Sequence, residues 1–181
     1  MSAPEFSRRV KVKPLPADAL VLTASDSERA ALAKRFGLSA IDSLSASVEL
    51  EQGASAIRAS GQMSARYHQS CAVSGDDFPV SVEEPLALRF IEEHLLDADP
   101  VTEETEGAEI EIELDADDLD EIPYSGDSFD LGEAIAQTLG LAIDPYAEGP
   151  NADQARKDAG ITGDDAPSGP LAEALAALKK D

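Results

Sequence analysis

Between residues 57 and 68 apolar and polar positions alternate without a break. Ile57, Ala59, Gly61, Met63, Ala65 and Tyr67 share one parity, and Arg58, Ser60, Gln62, Ser64, Arg66 and His68 the other. Period two over that length predicts a long antiparallel strand buried on one face. Gly61 within it marks a bulge or sharp bend. Ala46, Val48 and Leu50 alternate in the same way before a turn at residues 52–55. Phe78, Val80, Val82, Leu86, Leu88 and Phe90 repeat the pattern after a turn around Cys71, with Pro79 and Pro85 confining that strand to an edge or a bulge. Residues 44–91 therefore read as a three-stranded meander.

The helical signals are equally local. Ser25 and Glu28 form a capping box ahead of Ala30, Leu32, Ala33 and Phe36, and Gly37 supplies the stop. Asp130 and Glu133 are an acidic version of the same box, ahead of Leu131, Ile135 and Leu139 at four-residue spacing. Gly140 or the Asp144-Pro145 pair ends that helix. At the start of the chain Phe6, Arg8, Val10 and Val12 alternate with Ser7, Arg9, Lys11 and Lys13, a strand with one basic face. Ile110, Ile112 and Leu114 alternate with carboxylates and predict a short strand paired with the meander. Leu171, Leu175 and Leu178 mark a last helix, marginal alone. The expected fold is α+β. It has a curved, mainly antiparallel sheet of five or six strands, open or closed into a partial barrel, and two packed helices.

Composition adds a boundary and a polarity. Residues 1–150 hold the patterned elements and read as one domain, with an acidic mobile loop at about 96–108; residues 151–181 have Ala/Gly/Pro-rich tail composition. Aromatics make up only 4% of the chain, so the core should rest on Leu, Val and Ile. The net charge is −23 and unevenly placed: residues 1–70 carry nine Lys/Arg against seven Asp/Glu, while residues 71–181 carry five against thirty. Between Glu83 and Asp130 nineteen acidic side chains face one formal cation, Arg89. That part repels nucleic acid and attracts basic partners. No apolar run is long enough to span a bilayer, and the first residues lack the apolar core of a signal peptide, so a cytoplasmic protein with no membrane partner is expected.

Candidate chemistry is sparse. Asp115 and Asp117 begin like a calcium loop, but Leu119 stands at the third ligand, Asp120 at the required glycine and Gly126 at the bidentate glutamate. There is no nucleophile elbow or phosphate-binding glycine loop, and Cys71, His68 and His94 are the only cysteine and histidines. Cys71 reads as a small half-buried residue at a strand end. No enzyme activity, cofactor or metal is expected. What remains is two sets of charge: Arg9, Lys11, Lys13, Arg58 and Arg66 as candidate RNA contacts, and Glu103, Glu104, Glu106, Asp117, Asp118 and Asp120 as candidate contacts to a basic partner.

The order of features also resembles a known family. The opening FSRRVKV, the SERAALAKRFGL helix, the meander into QSCAVSGDDFPVSVEEPLALRF and, after an acidic spacer, DLGEAIAQTLGLAIDPY resemble the YceD family, the large ribosomal RNA subunit accumulation proteins. The resemblance covers about residues 5–150 and looks like the alphaproteobacterial branch. Its motif falls on Cys71, Phe78, Pro79, Asp130, Leu131, Gly132, Glu133, Asp144, Pro145 and Tyr146. Many members carry Cys-x-x-Cys at the turn, where this chain has Ser74. The resemblance implies a non-enzymatic bacterial factor for accumulation or processing of 23S ribosomal RNA and large-subunit biogenesis. Its partner would be a basic ribosomal protein or the RNA precursor; the contrasting reading is a metal-dependent RNA-processing enzyme using surface carboxylates.

Overall fold

The computed structural model describes residues 4–96 and 121–161. In chain order the elements are β1 (Arg9–Lys11), β2 (Leu20–Thr23), α1 (Asp26–Phe36), β3 (Ala40–Gln52), β4 (Ala56–Ser70), β5 (Asp77–Glu92) and α2 (Glu93–Leu96). After the undescribed residues come β6 (Glu121–Tyr124), β7 (Ser128–Asp130), α3 (Leu131–Ala142) and α4 (Ala152–Asp158). The chain divides into two compact units, one made of Met1–His68 with Pro79–Ile143, the other of Gln69–Phe78 with Asp144–Asp181.

The first unit is α+β. Its sheet has the order β2-β3-β4-β5-β6 and stays open rather than closing into a barrel. β2 pairs antiparallel with β3, and β3 with β4 over a ladder from Ala40↔His68 to Gln52↔Ile57. Too few residues separate β4 from β5 for a parallel crossover. β6 is the exception to the antiparallel rule, pairing parallel with the end of β5 through Arg89↔Glu121 to Glu92↔Tyr124. It therefore covers only the far end of β5. Pro79 and Pro85 sit on the part of that strand that β6 does not reach.

The opening strand does not join this sheet. β1 forms a separate two-stranded ribbon with β7, in the register Arg9↔Asp130, Val10↔Phe129 and Lys11↔Ser128. The anticipated strand at residues 110–114 and the loop at 96–108 fall on residues outside the described ones, apart from Leu96 at the end of α2. Of the bulge or sharp bend expected at Gly61, the bulge does not form: the ladder keeps its register through Gly61↔Val48 and shifts between Ile41 and Ser43 instead. Gly61 answers a different demand. A Cβ there would lie 1.9 Å from the Ser47 carbonyl oxygen, so the strands approach too closely for any side chain.

The core follows the parities. Leu44, Val48, Ile57, Met63 and Tyr67 are fully buried, with Leu32 from α1 and Leu131, Ile135 and Leu139 from α3. The few aromatics matter more than their share suggests. Phe6, Tyr67, Phe90 and Phe129 are all in the core, and the Phe90 and Phe129 rings stack at 4.2 Å. α1 has the full capping box at Ser25 and Glu28 and ends on Gly37 in the left-handed region. α3 runs past Gly140 to an Ile143 cap, so the Asp144-Pro145 stop is the operative one. Gly140 lies inside the helix, where a Cβ would press on the Phe36 ring at 2.8 Å.

In the second unit, Gln69–Phe78 forms a turn against the segment from Asp144. The Ala72 amide donates to the Ala147 carbonyl at 3.1 Å and the Asn151 side chain to Asp76 at 3.1 Å. Residues past 150, which composition marks as tail, carry α4. Ala152 is buried, and Arg156 pairs with Glu148 and Asp153.

Candidate functional site

Residues 130–133, Asp-Leu-Gly-Glu, form a clasp that holds the first strand and α1 to the start of α3. Asp130 sits at the cap of α3, where its carboxylate takes the Glu133 amide at 3.1 Å, the Arg8 amide at 2.8 Å and the Ser7 hydroxyl. The carboxylate thus satisfies one open donor of the helix end and one of the strand crossing it. Leu131 is fully buried, and its amide donates to the Arg8 carbonyl at 3.0 Å. Gly132 faces the crossing backbone, where a Cβ would lie 2.5 Å from the Phe6 carbonyl oxygen and 2.7 Å from the Arg8 nitrogen. Glu133 does not complete the expected capping box. Its carboxylate accepts two bonds from the Arg35 guanidinium, at 2.9 and 3.0 Å, and Arg35 also donates to Glu5. A two-pronged guanidinium pair is the stronger use of a carboxylate.

Arg8 completes the attachment. Its guanidinium lies 4.5 Å from the Phe6 ring centre and donates to both Glu28 oxygens at 2.6 and 2.9 Å. The hydrogen bond from Arg8, with further bonds from Ser25, holds the Glu28 carboxyl down at about 2. Sequence reading placed Arg8 on the half-apolar face of its strand without a role. A cation at an apolar parity was the available signal that it lies against an aromatic ring and needs a carboxylate.

The charged candidates separate by whether they are paired. Arg8, Arg29, Arg35, Arg89 and Arg156 all form ion pairs. Arg9, Lys11, Lys13, Arg58 and Arg66 are exposed and, among the described residues, form none. They do not make one patch. Arg9 and Lys11 flank buried Val10 on β1, with Lys13 two residues on and the Arg9 guanidinium donating to Ser128 Oγ at 3.0 Å. Arg58 and Arg66 share the outer face of β4, but eight residue steps along the strand separate them by about 27 Å. Arg58 stands opposite Glu51 and Arg66 opposite Ser43, while His68 turns to Asp42 at 3.2 Å. Shared parity puts Arg58, Arg66 and His68 on one face as if they formed a single basic patch, but only Arg66 and His68 are neighbours. Glu103, Glu104, Glu106, Asp117, Asp118 and Asp120 lie outside the described residues.

A groove of about 400 Å³ opens beside the clasp, floored by Phe90, Ile122, Phe129 and Ala134. Its three carboxylates are already engaged: Glu121 with Arg89 at 3.1 Å, Glu133 with Arg35, and Asp130 with its amides. Among the described residues no three His, Cys, Asp or Glu side chains gather as a metal site would require.

In the second unit Cys71 is buried, more so than the half-buried strand end expected, and its Sγ accepts the amides of Val73 at 3.4 Å and Ser74 at 3.3 Å. These bonds, with that of the Ser74 hydroxyl foremost and the Gly149 amide added, bring the thiol down to about 7. No histidine pairs with Cys71 to act as its base, because His68 faces Asp42. The other motif residues near it are structural. Phe78 packs on Gly149, where a Cβ would come within 2.8 Å of the ring. Asp144 takes the Gln69 side chain on its carbonyl at 3.1 Å and the Tyr146 amide on its carboxylate at 2.8 Å. Pro79, Pro145 and Tyr146 are exposed.

The family model described as "Large ribosomal RNA subunit accumulation protein YceD" matches residues 59–180, more than half of the chain. The match takes in Cys71 and the clasp but begins inside β4, leaving the FSRRVKV strand and the SERAALAKRFGL helix outside it. No curated protein and no solved structure matches the chain. Among the described residues no helix is long and apolar enough to cross a membrane.

Proposed function

The chain belongs to the YceD family, and from that premise we propose that it is a non-enzymatic bacterial factor for 23S ribosomal RNA accumulation and large-subunit biogenesis, acting in the cytoplasm by binding. The observation carrying this reading is the division of labour among cations. Five arginines are taken up in ion pairs, whereas Arg9, Lys11, Lys13, Arg58 and Arg66 stay exposed and, like Lys34 and Lys157, form no ion pair among the described residues, in a chain of net charge −23. So acidic a protein meets an RNA only through cations left free, and these five lie in its first part. A contact with the RNA precursor through them is the leading reading.

A second reading rests on the nineteen carboxylates facing one cation between Glu83 and Asp130. Such a segment attracts a basic ribosomal protein and speeds the encounter. A tagged pull-down at low and moderate salt, with RNA and proteins identified, separates the two. Neutralising Glu103, Glu104, Glu106, Asp117, Asp118 and Asp120 together should remove a basic protein partner and leave RNA recovery unchanged or higher. Reversing Arg9, Lys11 and Lys13 should remove the RNA. Incubating the pure protein with precursor RNA and Mg²⁺ or Mn²⁺ tests the non-enzymatic part: clean cleavage, lost on mutating a few carboxylates, would establish an enzyme instead.

A further inference from the structure

We propose that the β1–β7 ribbon is a preorganised rail for the phosphate backbone of an RNA strand, read without regard to base sequence. This rests on the RNA reading above and narrows it to one element and one mode of contact.

Three observations converge on the ribbon. Arg9, Lys11 and Lys13 recur at every second residue, all exposed and none in an ion pair among the described residues. A strand rises about 3.4 Å per residue, so Arg9 and Lys11 on β1 stand about 7 Å apart, and Lys13 follows in the bend just past the strand. That stride suits successive phosphates along one extended strand. The backbone beneath them is fixed at both ends. The Arg8 amide donates to Asp130 at 2.8 Å, Arg8 carbonyl accepts from Leu131 at 3.0 Å, and the Val12 amide donates to Asp127 carbonyl at 2.9 Å. Only side-chain tips are left to order on binding, which lowers its entropic cost.

The surroundings of the cations exclude base reading. Phe6 and Phe129 are buried and the chain has no tryptophan; among the described residues β1 and β7 themselves expose no ring for a base to stack on, the half-buried Tyr124 beside Phe129 belonging to β6. Among the described residues its one side-chain hydrogen bond to these cations is Ser128 Oγ accepting from Arg9, and no Asn or Gln lies on β1 or β7. Contacts of this composition position a strand and carry no sequence information. Arg58 and Arg66 lack this geometry, since one faces Glu51 across the ladder and the other is far along the same strand.

The test is fluorescence-anisotropy titration of the full chain with 20-nucleotide oligouridylate and oligoadenylate, over roughly 50–200 mM salt. Each single-strand phosphate contact contributes about 0.7 to the slope of log K against log salt, so three give about 2. The combined variant Arg9→Gln, Lys11→Gln, Lys13→Gln should lower the slope by about 2 and weaken low-salt binding at least about tenfold, with an unchanged melting curve. Arg58→Gln with Arg66→Gln should change the slope by less than half as much. Both oligonucleotides should bind the wild type within about threefold of one another. An unchanged slope in the triple variant overturns the rail while leaving RNA binding elsewhere on the chain. A tenfold preference for one base overturns phosphate reading. Displacement of RNA by polyglutamate at equal charge would reassign the ribbon to an acidic protein segment. If the wild type binds neither oligonucleotide, the RNA reading itself falls, and the rail with it.

Discussion

Replacing Gly132 by alanine puts two opposed effects on one position. Helix propensity alone favours alanine over glycine by at most about 1 kcal/mol, so a residue in the first turn of α3 should gain stability. The structure predicts the reverse. The added Cβ would lie 2.5 Å from the Phe6 carbonyl oxygen and 2.7 Å from the Arg8 nitrogen, both backbone atoms that no rotamer change can move. Overpacking against such a wall costs about 1–3 kcal/mol. Relief requires the strand to lift, which lengthens the bonds from the Arg8 amide to Asp130 and from the Leu131 amide to Arg8, each worth about 1 kcal/mol. Against the propensity gain, a net loss of about 1–3 kcal/mol remains, or roughly 3–10 °C in melting temperature for a chain of this size. Gly140→Ala is the internal control. Its Cβ meets the edge of the half-buried Phe36 ring, which can turn aside, so its loss should be smaller or its sign positive. Calorimetric melts of both variants decide the matter. A melting temperature raised by Gly132→Ala would show that the strand does not press on α3 as described.

Leu131→Ala and Ile135→Ala each remove a fully buried side chain and should cost about 2–5 kcal/mol in urea unfolding; an unchanged midpoint would mean α3 is not docked. Glu28→Gln should cost about 1–3 kcal/mol at neutral pH through its bonds from Arg8. The folded Glu28 titrates at about 2 against an ordinary 4.5, so its contribution is complete above 4.5 and is lost as pH falls toward 2; the wild type and variant should converge in acid melts there. Absorbance titration of the Cys71 thiolate should give a midpoint near 7, and Ser74→Ala should move it upward toward the ordinary 9; no movement would remove the hydroxyl as its main cause.

Elements whose signals are local were legible. The capping box of α1, the unbroken period two of β4 and the apolar spacing of α3 each lie within a dozen or so residues, and each formed where the pattern placed it. What escaped depended on partners far along the chain. Glu133 satisfies the spacing of a capping box, yet its carboxylate goes to Arg35 on another helix, 98 residues away. β6 is four residues long, contains Pro123 and follows an acidic stretch, so no periodicity could announce a parallel strand. Gly61 read as a bulge or sharp bend and Gly132 only as a motif residue, because backbone approach is a tertiary fact. The free cations could be named from sequence, but which arginines would be consumed by the fold could not. The separation of Arg58 from Arg66 was countable from strand rise, and the opposition of Arg58 to Glu51 awaited the register.

The charge of the whole chain sharpens what the ribbon can do. At −23 the protein repels RNA at a distance, but at physiological salt that repulsion is screened beyond about 8 Å. Arg9 and Lys11, about 7 Å apart on β1, and Lys13 just past it act inside that length, so their attraction is felt at contact. Lowering salt therefore strengthens both effects at once, and the slope of the wild type alone understates the number of phosphates touched. The difference in slope between wild type and the triple variant does not suffer this, because both carry nearly the same distant charge. The clasp enters here as well. Asp130 holds the strand with a carboxylate placed opposite Arg9, but spends that carboxylate on the Ser7 hydroxyl and the amides of Arg8 and Glu133, leaving the guanidinium of Arg9 without an ion pair among the described residues. For the RNA contact proposed above, the use of this motif is to fix the cations in place without pairing with them.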